Sequence, residues 1–151
     1  MHPIRTLWAC LACLNVAYAL DLKAASIVTP ADAPMPVRKA SQILSDEIAK
    51  RTQARLAETH AMPAAGAPAI VVGLNDQVQK LAPAESRNLP APPQGDEGYR
   101  VAITGNRVLI AGNSPRAVVF GAGYLLRHMT LRRGKVVEVP DSLTFATAPK
   151  V

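Results

Sequence analysis

The stretch EGYRVAITGNRVLIAGNSPRAVVFGAGYLLRHM, residues 97–129, has the clearest structural pattern in the chain. Apolar and polar side chains alternate over residues 99–103, which is typical of a half-buried β-strand. Gly105-Asn106 is a two-residue turn of the kind that accepts positive φ angles, and it is followed by Arg107 and the apolar residues 108–111. This part of the sequence therefore predicts a β-hairpin.

A helix is expected directly after the hairpin. Ser114 is a residue type that accepts hydrogen bonds from the first free N–H groups of a helix, and Pro115 suits the first helical position. Apolar residues then recur at steps of three and four, so that one helical face carries Val118, Ala122, Leu125 and Met129. We expect this face to be buried against the sheet.

The glycines near this junction raise the question of phosphate binding. A dinucleotide-binding fingerprint needs G-x-G-x-x-G between a strand and the N-terminus of a helix. Here Gly112 stands alone at the junction, Gly121 and Gly123 lie two turns later, and the P-loop spacing with its lysine is missing. A mid-helix glycine costs about 1 kcal/mol relative to alanine, so we interpret Gly121 and Gly123 as positions where the helix lies close on its sheet.

The first half of the chain predicts a strand–helix–strand unit. Strands are expected within residues 23–30 and at residues 69–74. The helix between them begins near Asp32, a candidate hydrogen-bond acceptor for its N-terminus, with Pro34 or Pro36 in the first turn. Its predicted buried stripe is Val37, Ala40, Leu44 and Ile48, widened by Ile43. Such a crossover places the two strands parallel in one sheet.

The remaining segments complete the predicted topology. Residues 75–82 are expected to form one or two helical turns, residues 83–97 a proline-rich loop, and residues 131–140 a strand or a hairpin around Gly134. The fold class predicted from these segments is α+β: a single small domain with a mixed β-sheet and two main helices packed on it, in the order β-α-β-β-β-α-β.

The N-terminus has the three parts of a secretory signal peptide. Arg5 is followed by an apolar run over residues 7–16 and by small residues up to Ala19. This pattern predicts a signal peptide over residues 1–19, cleaved after Ala19, and a secreted or periplasmic domain over residues 20–151. The apolar run is too short for a bilayer span, which needs about 20 residues.

Both cysteines of the chain, Cys10 and Cys13, lie inside the predicted signal. Their C-x-x-C spacing elsewhere indicates redox or zinc chemistry, but inside an apolar signal the pair has no folded context. Lipoprotein cleavage before Cys13 is the alternative, and it is disfavoured because Cys10 stands where leucine is usual.

The formal net charge of +6 is compatible with an anionic polymer, a nucleic acid or an envelope surface as partner. The cations are scattered along the sequence and are not interleaved with aromatic residues. We therefore interpret them as a solvated surface, with a specific basic site as the alternative.

Adjacent acidic residues occur at Asp46-Glu47 and at Asp96-Glu97. General acid–base chemistry needs carboxylates that face one pocket, and neither pair has neighbours that suggest a pocket. We interpret the first pair as part of the outer helix face, where Lys50 and Arg51 follow four positions later as i,i+4 ion-pair partners. The second pair is interpreted as a turn entering a strand.

The histidines and the serine of the central stretch do not form a reactive set. His60 is expected in a loop and His128 at a helix C-terminus, where a cation suits the helix dipole. Neither belongs to an H-E-x-x-H motif, and Ser114 is not in G-x-S-x-G. The sequence predicts no catalytic, cofactor-binding or metal-binding residue, and no cofactor.

Residues 97–126 resemble the N-terminal domain that precedes the catalytic barrel in bacterial β-N-acetylhexosaminidases and α-glucuronidases. The residues that match are Glu97, Gly98, Tyr99, Ile110, Gly112, Ser114, Arg116, Phe120, Gly121, Leu125 and Leu126. Ala117 and Gln53 stand at positions where that family commonly has glycine. The resemblance extends over residues 22–150.

The resemblance implies a small α+β domain that is not the catalyst, because the catalytic carboxylates of that family lie in a following (β/α)₈ barrel. Such a barrel takes about 250 residues, whereas removing 19 residues from 151 leaves 132. We therefore expect the barrel to be missing from this chain or to follow it in a longer one. As the barrel is the implied partner, an exposed apolar patch is expected where it docks.

A stand-alone module that binds carbohydrate or an anionic polymer is the alternative hypothesis. Sugar-binding surfaces usually offer aromatic faces, but Trp8 lies in the predicted signal, and Tyr99 and Tyr124 lie on predicted elements of the fold. A nucleic-acid binder is a third hypothesis, disfavoured by export and by the scattered charge.

Overall fold

The structure is a computed structural model that describes residues 18–149. Within that range the elements are β1 (Ala19–Asp21), β2 (Ser26–Val28), α1 (Met35–Thr52), β3 (Ala57–Thr59), β4 (Ala69–Leu74), α2 (Asn75–Leu81), α3 (Pro83–Ser86), β5 (Tyr99–Thr104), β6 (Arg107–Gly112), α4 (Pro115–His128), β7 (Thr130–Arg132), β8 (Val136–Pro140) and β9 (Thr144–Thr147). The predicted α+β class, with a mixed sheet and helices packed on it, is confirmed.

The main sheet has six strands in the order β3-β2-β4-β6-β5-β9. Strands β3, β2, β4 and β6 are mutually parallel, whereas β5 is antiparallel to both of its neighbours. The predicted parallel pairing of β2 with β4 and the predicted β5–β6 hairpin are both confirmed, and Gly105 in the hairpin turn has φ +60°. Strands β3 and β9 were not predicted, because neither short strand has an alternating apolar pattern.

A second, three-stranded sheet has the order β1-β8-β7. The hairpin predicted around Gly134 is confirmed as β7 and β8, and Gly134 itself has φ +86°. The predicted signal peptide lies almost entirely in residues 1–17, which are outside the described residues. Ala19, at the predicted cleavage boundary, pairs with Pro140 as the first residue of β1. The cleavage site stays a prediction.

Helices α1 and α4 pack side by side on one face of the main sheet. The stripe predicted for α1 is confirmed, since Val37, Ala40, Leu44 and Ile48 are all completely buried. Ile43 does not widen this stripe: its side chain is 38% exposed, because it lies about 100° around the helix from Leu44.

The N-terminus of α1 differs from the sequence-based expectation. Pro34 occupies the N-cap position without a side-chain hydrogen bond, and Pro36 lies in the first turn as predicted. Asp32 does not cap the helix; its Oδ1 atom instead lies 3.5 Å from Nε2 of Gln77, on α2. A proline at the N-cap cannot accept a hydrogen bond through its side chain, so the helix start depends on the fixed φ angle of proline rather than on a polar cap.

Helix α4 begins as predicted. Ser114 is the N-cap, its hydroxyl accepts a hydrogen bond from the backbone N–H of Ala117 at 3.2 Å, and Pro115 is the first helical residue. Val118, Ala122 and Leu125 are buried, with Leu125 completely inaccessible, and Met129 is partly buried at the end of the same stripe.

The two glycines of α4 have different surroundings. A Cβ atom at Gly121 would lie 2.7 Å from Cγ2 of Ile110, which is too close. The expected close approach of helix and sheet is therefore confirmed at Gly121. A Cβ atom at Gly123 would meet nothing nearer than an Arg127 guanidinium nitrogen at 3.4 Å, so the same expectation is wrong there.

The opposite face of the sheet is covered by α2, α3 and the proline-rich loop. The helical turns predicted for residues 75–82 are confirmed as α2, and the four-residue α3 lies inside the predicted loop. A smaller apolar cluster fills this side, in which Val78 and Ala82 pack on sheet residues Val71, Leu109 and Ala111.

Candidate functional site

The carboxyl edge of the parallel strands is where open α/β sheets commonly bind ligands. Strands β4 and β6 are neighbours, and an asparagine follows each of them at this edge. The side-chain amide of Asn75 donates to Oδ1 of Asn113 at 2.7 Å. The amide of Asn113 in turn donates to the backbone oxygens of Pro93 and Gly95, at 2.6 and 2.7 Å.

Arg100, on β5, joins the same network. Its NH2 group donates to Oδ1 of Asn75 at 2.7 Å, and its NH1 group donates to the backbone oxygen of Pro90 at 3.0 Å. The Nε atom is buried without a hydrogen-bond partner, and burial lowers the pKa of this guanidinium from its ordinary value. We call Asn75, Arg100 and Asn113 the polar clasp.

The clasp holds the proline-rich loop rather than a reactive group. Each of its contacts to the loop ends on a backbone oxygen, of Pro90, Pro93 or Gly95. A cleft of about 340 Å³ lies beside it, lined by Asn75, Gln79, Ser86, Arg87, Pro92 and Arg100. Its lining includes neither a carboxylate nor a histidine, so it has no group suited to general acid–base chemistry at neutral pH.

His60 lies at the other end of the carboxyl edge, after β3. Its Nδ1 atom is 2.8 Å from the backbone oxygen of Thr29, which can only accept, so Nδ1 is the donor of this hydrogen bond. Two clefts adjoin His60. The first, of about 210 Å³, is lined by Thr29, Arg38, Ser41, Glu58, Thr59 and His60. The second, of about 220 Å³, is lined by Pro30, Ala31, Asp32, His60, Gln77, Lys80 and Leu81.

Ionisable side chains lie close together around His60, but they are exposed to solvent. Arg38, Glu58 and His60 are all exposed, so water screens the charges of this group. The nearby hydroxyl of Ser41 is buried and forms a 2.6 Å hydrogen bond with the hydroxyl of Thr29. A serine engaged in this way lacks the accessible nucleophile–base arrangement that acyl transfer needs.

The two acidic pairs lie on separate elements. Glu47, on α1, forms a 2.8 Å ion pair with Arg51, as predicted, and it also lies 4.0 Å from Lys50, the residue predicted to pair with Asp46. Glu97 forms a 3.2 Å ion pair with Arg116 at the start of α4, and Asp96 is exposed. The Glu97–Arg116 pair was not predicted, because loop and helix meet only in the fold.

Metal-binding side chains are dispersed over the part of the chain that the structure describes. No group of three or more histidine, cysteine or acidic side chains within residues 18–149 could hold a metal ion. His128 closes α4 as predicted, with Nδ1 2.8 Å from the backbone oxygen of Tyr124. None of the helices in the same range is long and apolar enough to span a bilayer.

Aromatic rings gather where α4 lies beside the edge strand β9. The ring of Tyr124 stacks on that of Phe145 at a centroid distance of 4.2 Å and an angle of 9°, and on the His128 imidazole at 4.0 Å. Tyr99 lies beneath them, with its ring 6.2 Å from Tyr124 and 6.1 Å from Phe145. Burial raises the pKa of the Tyr99 hydroxyl, and the charge of Arg127 opposes that rise.

We call the partly buried side chains Phe120, Tyr124 and Phe145 the aromatic face. The guanidinium of Arg116 lies 5.4 Å from the centre of the Phe120 ring, a cation–π distance. Among the described residues the most exposed large apolar side chains are Tyr18, Met35 and Ile43, which lie outside this face. This face was not predicted from the sequence, because Phe145 belongs to the unpredicted strand β9.

Comparison with known proteins shows to which family the chain belongs and which solved structures share its fold. Residues 24–141 match the model of the family described as glycosyl hydrolase family 20, domain 2. Among solved structures, a family GH115 4-O-methyl-α-glucuronidase is similar with a TM-score of 0.66, at 14% identity over 87% of this chain and 18% of that one. No curated protein matches the chain in sequence.

Two family GH20 enzymes are also similar. One is the β-N-acetylhexosaminidase of Streptomyces coelicolor A3(2), with a TM-score of 0.56 and 18% identity over 83% of this chain and 22% of that one. The other is the exo-β-N-acetylglucosaminidase of Vibrio harveyi, with a TM-score of 0.59 and 13% identity over 88% of this chain and 17% of that one. At these identities the similarity shows the fold, and the chain spans about a fifth of each enzyme.

Proposed function

The chain belongs to the family described as glycosyl hydrolase family 20, domain 2, which is a non-catalytic accessory domain of glycoside hydrolases, and we propose that it accompanies a secreted glycoside hydrolase. In that enzyme a separate (β/α)₈ barrel catalyses the reaction. The observation that carries this proposal is the family match over residues 24–141. The sequence resemblance at residues 97–126 pointed to the same kind of domain.

The geometry of the described residues supports a non-catalytic role. The pairs Asp46-Glu47 and Asp96-Glu97 lie on different elements, and Glu47 and Glu97 are held in ion pairs with arginines. Glycoside hydrolysis commonly uses two carboxylates about 5–10 Å apart on either side of one bond. Polar groups at the carboxyl edge instead fix a loop, which is a structural task.

The aromatic face is the surface that we propose docks on the barrel. It combines partly exposed aromatic rings with Arg116 and Arg127, and interfaces are enriched in aromatic residues and arginine. Strand β9 contributes Phe145, so any polypeptide that follows β9 leaves the domain beside this face. A barrel attached there in the same chain reaches the face without a long linker.

The first experiment measures hydrolysis by the purified chain. We expect no turnover of aryl β-N-acetylglucosaminides or of aryl α-glucuronides, the substrate types suggested by the similar enzymes. Glu97→Gln serves as the control, since Glu97 is the least exposed of the carboxylates that form ion pairs among the described residues. Turnover that copurifies with the folded chain and is changed by Glu97→Gln would overturn the non-catalytic assignment.

The second experiment reads the gene downstream of the codon for Val151. We expect an in-frame continuation of about 250 residues or more, the size of a (β/α)₈ barrel. Where that longer protein exists, Phe120→Ala in the aromatic face is expected to lower the melting temperature of the whole enzyme more than that of this domain alone. A stop codon directly after Val151 would contradict a barrel in the same chain.

Secretion is tested at the N-terminus. We expect the mature protein recovered from its native host to begin at Leu20, because cleavage after Ala19 follows the small-residue pattern. Mass spectrometry of the intact protein measures this directly. Retention of Met1 in a cytoplasmic fraction would refute export, and a lipid-modified Cys13 would support the lipoprotein alternative.

A further inference from the structure

The fold gathers cations that are far apart in the sequence. Helix α1 starts at the carboxyl end of β2 and must end near the amino end of β3, so its last turn lies at the amino edge of the sheet. The β7–β8 hairpin tip meets it there, since the backbone N–H of Lys135 donates to the backbone oxygen of Thr52 at 3.0 Å. Two segments about 80 positions apart therefore form one surface.

This surface, residues 46–55 and 132–135, we call the basic end. It holds six cations, Lys50, Arg51, Arg55, Arg132, Arg133 and Lys135, and two carboxylates, Asp46 and Glu47, so its formal net charge is +4. The whole chain carries +6. Most of the excess charge thus lies on two short segments, which favours a specific basic site, the alternative to a merely solvated surface.

Part of this charge has a structural explanation. Lys50 and Arg51 lie in the last turn of α1, where cations interact favourably with the helix dipole, and both are near Glu47. Arg55, Arg132, Arg133 and Lys135 lie outside the helix and are exposed, and no carboxylate of the described residues comes within ion-pair distance of them.

The shape and composition of the basic end indicate its ligand. A cleft of about 390 Å³ opens on the α1 side of this surface, lined by Asp46, Ala49, Lys50, Gln53 and Arg55. Neither of its two segments contains an aromatic residue, so it offers no platform for stacking nucleobases or neutral sugar rings. Arginine forks instead match carboxylates and phosphates through paired hydrogen bonds, so the ligand class is an anionic polymer.

We infer that the basic end binds a carboxylate-bearing polysaccharide, a uronate polymer, and so attaches the domain to anionic glycan. The inference concerns binding by this domain and does not depend on the proposed barrel, because the surface is complete within one chain. Binding of this kind is driven by the release of counterions and weakens steeply as salt is added.

The test is retention and titration of the full chain with polygalacturonate at about 50 mM salt, with a neutral dextran and duplex DNA in parallel. The triple variant Arg55→Gln, Arg132→Gln, Arg133→Gln is compared with a charge-matched control, Lys39→Gln, Lys80→Gln, Arg87→Gln, in which three exposed cations elsewhere are neutralised. We expect a roughly tenfold or greater loss of polygalacturonate affinity and a shallower salt dependence for the first variant alone.

Each other outcome overturns the inference. Equal losses of polygalacturonate affinity in the two variants would mean that binding depends on the net charge of the protein and not on the basic end. No binding to polygalacturonate, or tighter binding to DNA than to polygalacturonate at the same salt, would exclude a uronate polymer as ligand. Thermal melts keep the result interpretable, since exposed substitutions of this kind are expected to change stability by about 0.5 kcal/mol or less.

Discussion

The two faces of the main sheet are covered in different ways. On one face, α1 and α4, of 18 and 14 residues, pack apolar stripes against completely buried sheet residues such as Ile70, Val101 and Ile110. On the other face, α2 and α3 have only seven and four residues, and a proline-rich loop completes the layer. The first layer is held by apolar burial, and the second depends partly on the polar clasp.

The difference has a simple physical origin. Long amphipathic helices remove enough apolar surface from water to fix their own position. A proline-rich loop has few N–H donors, so its backbone oxygens need donors from elsewhere. Arg100 and Asn113 supply those donors to Pro90, Pro93 and Gly95. One sheet therefore carries a layer fixed by packing and a layer fixed by hydrogen bonds.

The largest effect on stability is expected from a charge placed inside the layer formed by α1 and α4, which we call the packed layer. Leu125→Asp places a carboxylate at a position that is completely inaccessible to water. We expect the free energy of unfolding to fall by more than about 4 kcal/mol, so that no stable fold remains, because a buried, unpaired charge is strongly destabilising. Circular dichroism melts measure this, with Arg127→Gln, an exposed position on the same helix, as control. A cooperative melt near the wild-type temperature would contradict the description of this layer.

The next effect distinguishes the two glycines of α4. Gly121→Ala forces a methyl group to within 2.7 Å of the stiff, buried Ile110 side chain, so we expect a net loss of about 1–2 kcal/mol. Gly123→Ala meets no such obstacle and is expected to gain about 0.5–1 kcal/mol from helix propensity. Denaturant titrations give both values, and changes of the same sign would show that α4 does not lie as close to the sheet as described.

A smaller and more local effect is expected on the clasp side. Asn113→Ala removes three side-chain hydrogen bonds, one with Asn75 and two with loop oxygens. We expect the free energy of unfolding to fall by about 1–2 kcal/mol. Proteolysis and amide hydrogen exchange are expected to become faster only within residues 88–97. Asn88→Ala, at an exposed position in the same region, is the control. If both variants open the loop equally, the clasp does not hold it.

The smallest effect is expected where the two regions meet at the surface. Arg116 pairs with Glu97, but its side chain is 69% exposed. We expect Arg116→Ala to cost less than about 1 kcal/mol and the cost to fade at high salt. A double-mutant cycle with Glu97→Gln, measured at low and high salt, isolates the pair. A large, salt-independent coupling would mean that this link contributes as much as the layers themselves.

The packed layer could be predicted from the sequence and the clasp could not. The α4 stripe, its Ser114 cap and the β5–β6 hairpin follow local rules of periodicity and turn chemistry, so sequence reasoning found them. Asn75, Arg100 and Asn113 have no common spacing, and parallel pairing of β4 with β6 is what brings them together. Strands β3 and β9 were missed because edge strands of three and four residues leave little periodic signal.

The sequence by itself determined the α+β class, the two main helices, the hairpin, and the resemblance that the family match bears out. These features are local, since a strand or an amphipathic helix is specified by its own residues. Only the tertiary structure decided the polar clasp, the aromatic face and the basic end, because each joins side chains from segments far apart in the chain. The pairing of strands and the packing of helices, which single-sequence periodicity does not encode, bring the segments of each feature together.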